Sequence, residues 1–195
     1  MFERDWQMPG DGLLTYDDVS RREWLDLSVS RLNQFPEPQL ENAIAEIMPG
    51  GLFEGFNLAS RSDVLALAES GGVDTSTSNL AVNQIAMSEL IELLGSTFAR
   101  DTPVFIRRSV GFIDEVDTNP PMAHQMGVVL RVIAIPYSDA GTAGLYFSSS
   151  DDSLFQGSTG LMLYRVVPEP STLMQLLMAG CGIMPIRSRI HWRTK

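Results

Sequence analysis

The sequence predicts an α+β domain over residues 1–166, with early helices packed on a late antiparallel sheet. Two observations carry this. Apolar residues recur at helical spacing in three segments before residue 99. After Thr102 the chain turns to β-rich runs separated by polar or glycine-containing loops. Helices first and strands later favour segregated layers over alternating βα units. A length of 195 residues with 44% hydrophobic content suits one such domain with its own core.

In chain order, "GLLTYDDV" alternates enough to form a short strand, and "REWLDLSVS" follows as a second apolar segment carrying Trp24, Leu25, Leu27 and Val29. The triplet Pro36-Glu37-Pro38 reads as a helix entry. Pro38 suits a first turn, where its missing N–H costs nothing, and Glu37 favours the positive helix end. Leu40, Ala43, Ile44, Ile47 and Met48 then recur at helical spacing until Pro49-Gly50-Gly51. A second helix opens at "SRSD", where Ser60 caps the backbone and Asp63 reaches back three residues later. It buries Val64, Leu65, Leu67 and Ala68 and stops near Gly71-Gly72. After the polar loop "VDTSTSN", a third helix from about Leu80 to Phe98 carries Ile85, Leu90, Ile91, Leu93, Leu94 and Phe98. The strands are expected in "PVFIRRSVGFI", "MGVVLRVIAIPY", "AGLYFS" and "GLMLYRVV".

Charge is unevenly placed. All 24 acidic residues precede Arg187, with ten basic ones, so the body carries −14, while Arg187, Arg189, Arg193 and Lys195 give the last nine residues +4. A body this acidic repels nucleic acid, and no nucleic-acid partner is expected. The single cysteine, Cys181, excludes an internal disulfide framework and a cysteine-rich zinc site. The N-terminal "MFERDWQMPGDG" has no basic region followed by an apolar stretch, so no signal peptide is visible.

Residues 167–195 form a second unit. Pro168 and Pro170 cannot donate to a sheet and hold the backbone extended. Leu173 to Ile186 are fourteen residues, apolar except Gln175, and a basic end follows. A linker, a short hydrophobic helix and a basic stop make a C-terminal membrane anchor that keeps the tail cytoplasmic. Fourteen residues give about 21 Å of helix, less than a roughly 30 Å hydrocarbon core. Ser171 and Thr172 can lengthen it, and the arginines can snorkel, giving a thin, transient anchor. The competing reading, a core helix ending a soluble domain, leaves the abrupt basic end unexplained.

Pro168-Glu169-Pro170-Ser171-Thr172, the apolar run and the Arg-containing end together resemble the PEP-CTERM sorting signal of exopolysaccharide-producing Gram-negative bacteria. That resemblance implies export, transient anchoring in the inner membrane, and recognition and cleavage by an exosortase. The catalytic cysteine belongs to that enzyme, so Cys181 inherits no role. The body carries a second resemblance on "GDGLLTYDDVSRREWLDLSVS", "MPGGLFEGFNLASRSDVLALAES" and "STGLMLYRVVPEPS". These segments are similar to a recurrent PEP-CTERM protein type, and the middle one to bacterial Lcl-type domains with a C-type-lectin-like fold. Phe56 stands where Trp is usual, Asn57 where Arg is usual and Asp63 where Glu is common. The resemblance implies a lectin-like body at the cell surface or in the matrix, associated with exopolysaccharide. It also implies an N-terminal signal peptide, so a segment preceding Met1 is expected.

No catalytic constellation stands out. His124, in "NPPMAHQMG", reads as a loop residue, and His191 lies in the basic tail. Ser148-Ser149-Ser150 lacks a Gly-x-Ser-x-Gly context, and there is no glycine-rich phosphate loop. "IDEVD" (Asp114, Glu115, Asp117) and "SSSDDS" (Asp151, Asp152) read as Ca²⁺ ligands or as solvated acidic loops, and neither has EF-hand spacing. Trp6, Trp24 and Tyr16 read as a carbohydrate-stacking surface or as core anchors. The chain is expected to be non-enzymatic, with no cofactor and no metal. A cell-envelope hydrolase and a cytoplasmic protein with a fortuitous tail are the alternatives.

Overall fold

The computed structural model describes residues 1–31, 34–35, 40–77, 79–100, 106–116, 126–134, 143–149 and 159–168. It has both helices and antiparallel sheet, an α+β arrangement with two sheets. The first contains β1 (Phe2–Arg4), β2 (Leu14–Asp17), β3 (Arg22–Leu25), β4 (Asn57–Leu58) and β10 (Leu163–Val166), in the order β1-β2-β3-β10-β4 and antiparallel throughout. The second runs antiparallel through β5 (Phe98–Arg100), β6 (Ile106–Val116), β7 (Met126–Ala134) and β8 (Ala143–Ser149). A two-residue β9 (Gly160–Leu161) pairs parallel with β6 beyond the end of β5. At Met162 the chain therefore steps from one sheet to the other. Its N–H donates to Phe112 O at 2.9 Å, and its carbonyl accepts from Ala59 N at 2.8 Å.

Strand alternation places two apolar clusters on the two faces of the first sheet. Leu14, Leu25 and Leu163 pack with Phe53, Phe56, Val110 and Phe112 on one face. Trp24 faces the other way, toward Leu27 and the helices α2 (Arg61–Ser70) and α3 (Leu80–Leu94). Each such side chain, fully buried, contributes about 1.5–3 kcal/mol relative to exposure. β6 joins both clusters, with Val110 and Phe112 in one and Ile113 in the other. Gly111 lies between them because a Cβ there would come within 2.7 Å of Met162 Cγ and 2.8 Å of Leu27 Cδ2. α3 packs on β6, β7, β8 and β2, and α2 touches β6.

The helix ends have local causes. α2 opens with the expected reciprocal cap: Ser60 Oγ accepts from Asp63 N, and Asp63 Oδ2 accepts from Ser60 N. Val64, Leu67 and Ala68 are buried, while Leu65 is only half-buried. α1 (Leu40–Ala45) is shorter than its apolar pattern suggests, and Met48 is exposed. α3 stops at Gly95, whose φ of 78° favours glycine, so Phe98 belongs to β5 and not to the helix. Ile85 is 75% exposed, a correction to its expected place on the core face. Asn83, Met87, Leu90, Ile91 and Leu94 are the buried positions, and Ile85 sits about 200° round the helix from both Asn83 and Met87.

Among the described residues, no helix is long and apolar enough to cross a membrane. The expected hydrophobic helix at Leu173–Ile186 lies outside them, as does Pro36-Glu37-Pro38.

Candidate functional site

The last described residue, Pro168, is exposed and leaves the body at one end of the first sheet. β10 ends at Val166, opposite Arg22, and Val167 N–H donates to Arg21 O at 3.0 Å. Pro168 has no N–H, so the ladder stops there for a covalent reason. The neighbouring β2–β3 turn is held by Asp17, which accepts from Val19 N at 3.0 Å and Ser20 Oγ at 2.5 Å. Arg21 closes the turn at φ 56°, an uncommon value for a residue with a Cβ.

Around this exit the sheet gathers arginines. Glu23, buried at the β3 centre, accepts from Arg4 at 2.9 Å and from Arg165 at 2.8 Å. The Arg4 guanidinium lies 4.0 Å from the Tyr16 ring centroid, and that of Arg165 lies 5.1 Å from Phe56. Charge-assisted bonds of this kind contribute about 1.5–3 kcal/mol when shielded. Both arginine side chains are 39% exposed, which places this network toward the low end. On the opposite face Arg22 donates to Asp63 Oδ1 at 2.6 Å and lies 4.3 Å from the Tyr164 ring, itself 5.3 Å from Trp24. Burial alone would raise the Asp63 carboxyl, but bonds from Ser60 and Arg22 outweigh it and hold the group below the ordinary carboxylate range. Arg61 is exposed in the first turn of the same helix.

The aromatic candidates do not form one surface. Trp24 is buried, and the register that puts it opposite Thr15 sends it to the face away from Tyr16. Trp6 packs on Phe53 and Phe56, with ring centroids 5.9 and 6.2 Å apart. All three read best as anchors of packing. Phe56, at the position where Trp is usual, is buried between Trp6 and Arg165.

Asp114 is exposed, and among the described residues no three His, Cys, Asp or Glu side chains converge as a metal site. Asp117, Asp151, Asp152, Ser150, His124, Cys181 and His191 lie outside the described residues. So do Glu169, Pro170, Ser171 and Thr172 of the sorting triplet and its flank, and Arg187, Arg189, Arg193 and Lys195 of the basic end. Ser148 and Ser149 belong to β8. A different carboxylate is the most strongly set. Asp11 accepts from the N–H groups of Met8, Trp6, Gln7 and Leu13, and these bonds lower its pKa to about 2 against the residual effect of burial. It organises the loop before β2, where Asp5 also accepts from Gly12 N at 3.2 Å.

Sequence reading overlooked the arginine grouping. Arg4, Arg22 and Arg165 are separated by up to 161 positions, and the strand register brings them together, with Arg21 joined to them through the Val167 N–H. Comparisons with protein-family models, curated proteins and solved structures give no match to this chain.

Proposed function

We propose that this chain is an exported, exosortase-processed surface or extracellular-matrix protein, associated with exopolysaccharide and not catalytic. Its tail from Pro168 is the sorting signal, held transiently in the inner membrane and then removed. One observation carries the reading: Pro168-Glu169-Pro170-Ser171-Thr172, fourteen mostly apolar residues and a basic end follow in order from the last strand. The exposure of Pro168 supports it, because a processing enzyme needs an accessible substrate. The body is proposed to be C-type-lectin-like. Support comes from the meeting of its three resembling segments in one sheet: β2 and β3, β4 leading into α2, and β10.

Replacing Pro168, Glu169 and Pro170 with alanine in the exported full-length protein should leave it uncleaved and membrane-retained. The same change at Pro36, Glu37 and Pro38 should leave processing intact. Normal processing of both variants would overturn the proposal. Changing Arg187, Arg189, Arg193 and Lys195 to glutamine should release protein that still carries its tail, because basic residues set the topology of a segment too short to hold by hydrophobicity alone. The mass of the secreted product distinguishes these outcomes.

A further inference from the structure

We infer that Arg4 and Arg165 form a clamp for a single carboxylate, and that its ligand is a uronate-bearing polysaccharide. This rests on the exopolysaccharide reading above and narrows it to acidic sugars. Both residues stand on the face of the first sheet that carries Leu14, Leu25 and Leu163. The register lines up Phe2, Tyr16, Glu23 and Arg165 across four strands, and Arg4 reaches Glu23 from the next row. Glu23 Oε1 accepts from Arg4 Nη1 at 2.9 Å, and Glu23 Oε2 accepts from Arg165 Nε at 2.8 Å. One buried carboxylate therefore faces two guanidinium groups, each with more N–H donors than these bonds use.

Both guanidinium groups are held in place before any ligand arrives. That of Arg4 lies 4.0 Å from the Tyr16 ring centroid and that of Arg165 lies 5.1 Å from Phe56, yet each side chain stays 39% exposed. Little ordering is left for the ligand to impose, and the planar fork of donors matches a carboxylate. Competing carboxylates are turned elsewhere. Glu3, opposite Thr15, and Asp17, opposite Arg22, belong to the other face, and Asp18 meets the Met1 amino group. In the loops bordering the clamp, Asp5, Asp11, Glu46 and Glu54 accept from backbone N–H groups of their own loops. A uronate joins one carboxylate to an apolar ring face, and Phe2 offers that ring a partner beside Arg4, being 47% exposed with the Arg4 guanidinium 5.3 Å from its centroid. The −14 of the body opposes nucleic acid, which carries a charge about every 1.7 Å of duplex. A glycan with one charge per sugar asks only for this clamp, and salt screens the remaining field beyond about 8 Å.

The test titrates the full-length chain in detergent micelles with trisaccharides of galacturonate, glucuronate and mannuronate, and with the methyl ester of each, by calorimetry. An acid should bind, and its ester, which keeps the sugar but loses the charge, should bind roughly tenfold more weakly or worse. Arg4→Gln and Arg165→Gln should each weaken the acid by roughly tenfold, the loss of a charged hydrogen bond, and leave the ester unchanged. Each variant leaves Glu23 one guanidinium, and its urea midpoint shows whether it folds. Arg165→Lys, which keeps the ion pair without the fork, should recover only part of the loss. Arg61→Gln removes the same charge from α2, which packs on the other face, and should leave the affinity unchanged. An ester that binds as tightly as its acid overturns the inference and leaves polysaccharide association standing. Equal weakening by Arg61→Gln overturns the clamp, because net charge alone then explains the binding. If no acid binds, the inference falls. Binding of esters alone would still support polysaccharide association, and silence from the whole panel would count against that reading too.

Discussion

Ser30 is predicted to be the most costly single hydroxyl to remove. Its Oγ accepts from Leu161 N at 2.9 Å and donates to Leu161 O at 3.1 Å, and the residue is fully buried. It serves β9 as a neighbouring strand one residue wide: Leu161 turns both backbone groups away from β6 and finds them satisfied by one side chain. In Ser30→Ala, an N–H and a carbonyl are left buried without this partner. An unsatisfied buried group costs about 1–3 kcal/mol, so the pair should cost about 2–6 kcal/mol. Water can offset the loss only if the backbone opens. Gly160 makes that difficult, since its Cβ position already lies 2.5 Å from Leu27 O and 3.0 Å from Ser30 Oγ. Urea unfolding followed by tryptophan fluorescence reads the change, with the slope checked for constancy so that a shifted midpoint reports stability. Hydrogen exchange of the Leu161 amide should accelerate beyond the global effect. A loss below about 0.5 kcal/mol, the range of an ordinary surface substitution, would refute the reasoning.

Two further outcomes follow from buried polar groups. Asn83→Ala should lose about 2–4 kcal/mol in the same unfolding assay, because the Asn83 amide accepts from Asp74 N at 2.8 Å and donates to Asp74 O and Thr77 O, both at 2.9 Å; an unchanged midpoint would mean that the loop does not depend on it. Asp63 and Asp26 should give opposite pH dependences. Asp63 is held below its unfolded value, so its stabilisation is present above about pH 4 and lost as acid titrates it through the folded pKa. Burial raises Asp26, against bonds from Ser28 and the charge of Arg31, so the native state keeps its proton longer and stability falls as pH rises from about 4 through the folded pKa. Relative to wild type, Asp63→Asn should therefore lose more stability at neutral pH than in acid, and Asp26→Asn should gain more. Offsets equal at both pH values would contradict the assignment.

Local features were legible and long-range ones were not. The α2 cap could be read because Ser60 and Asp63 stand three residues apart and satisfy each other. The strand around Tyr16, and those after Thr102, could be read from alternation and β-branched content, whereas the segment around Trp24 showed only that it was apolar. The sequence reading gave one late sheet, whereas the structure has two. The reason is the register of β10, which pairs Tyr164 with Trp24 on one side and with Asn57 on the other. A four-residue strand that joins partners more than a hundred positions away leaves no periodic trace. The end of α3 was missed for a smaller reason: apolar spacing runs on to Phe98, but Gly95 takes a left-handed φ beside the Asp26 carboxylate. A Cβ there would fall within 2 Å of Asp26 Oδ1, so Gly95 both ends the helix and leaves room for the carboxylate.

The same contrast holds inside the body's core. Apolar periodicity says which side of an element is buried, but it does not say what closes the buried backbone groups where elements meet. Here single polar side chains close them. Thr15 Oγ1 donates to Leu93 O at the last turn of α3, Ser109 Oγ donates to Gly95 O at 2.6 Å, and Thr97 Oγ1 accepts from Val110 N at 3.0 Å. All three residues are buried, and each looks in sequence like any other small polar residue. Arg4, Glu23 and Arg165 belong to the same class, since their meaning appears only once the register is set. The two Pro-Glu-Pro triplets carry identical side chains, and only their surroundings separate them. One precedes a helical pattern; the other follows β10, just past which the Val167 N–H is already taken by Arg21 O.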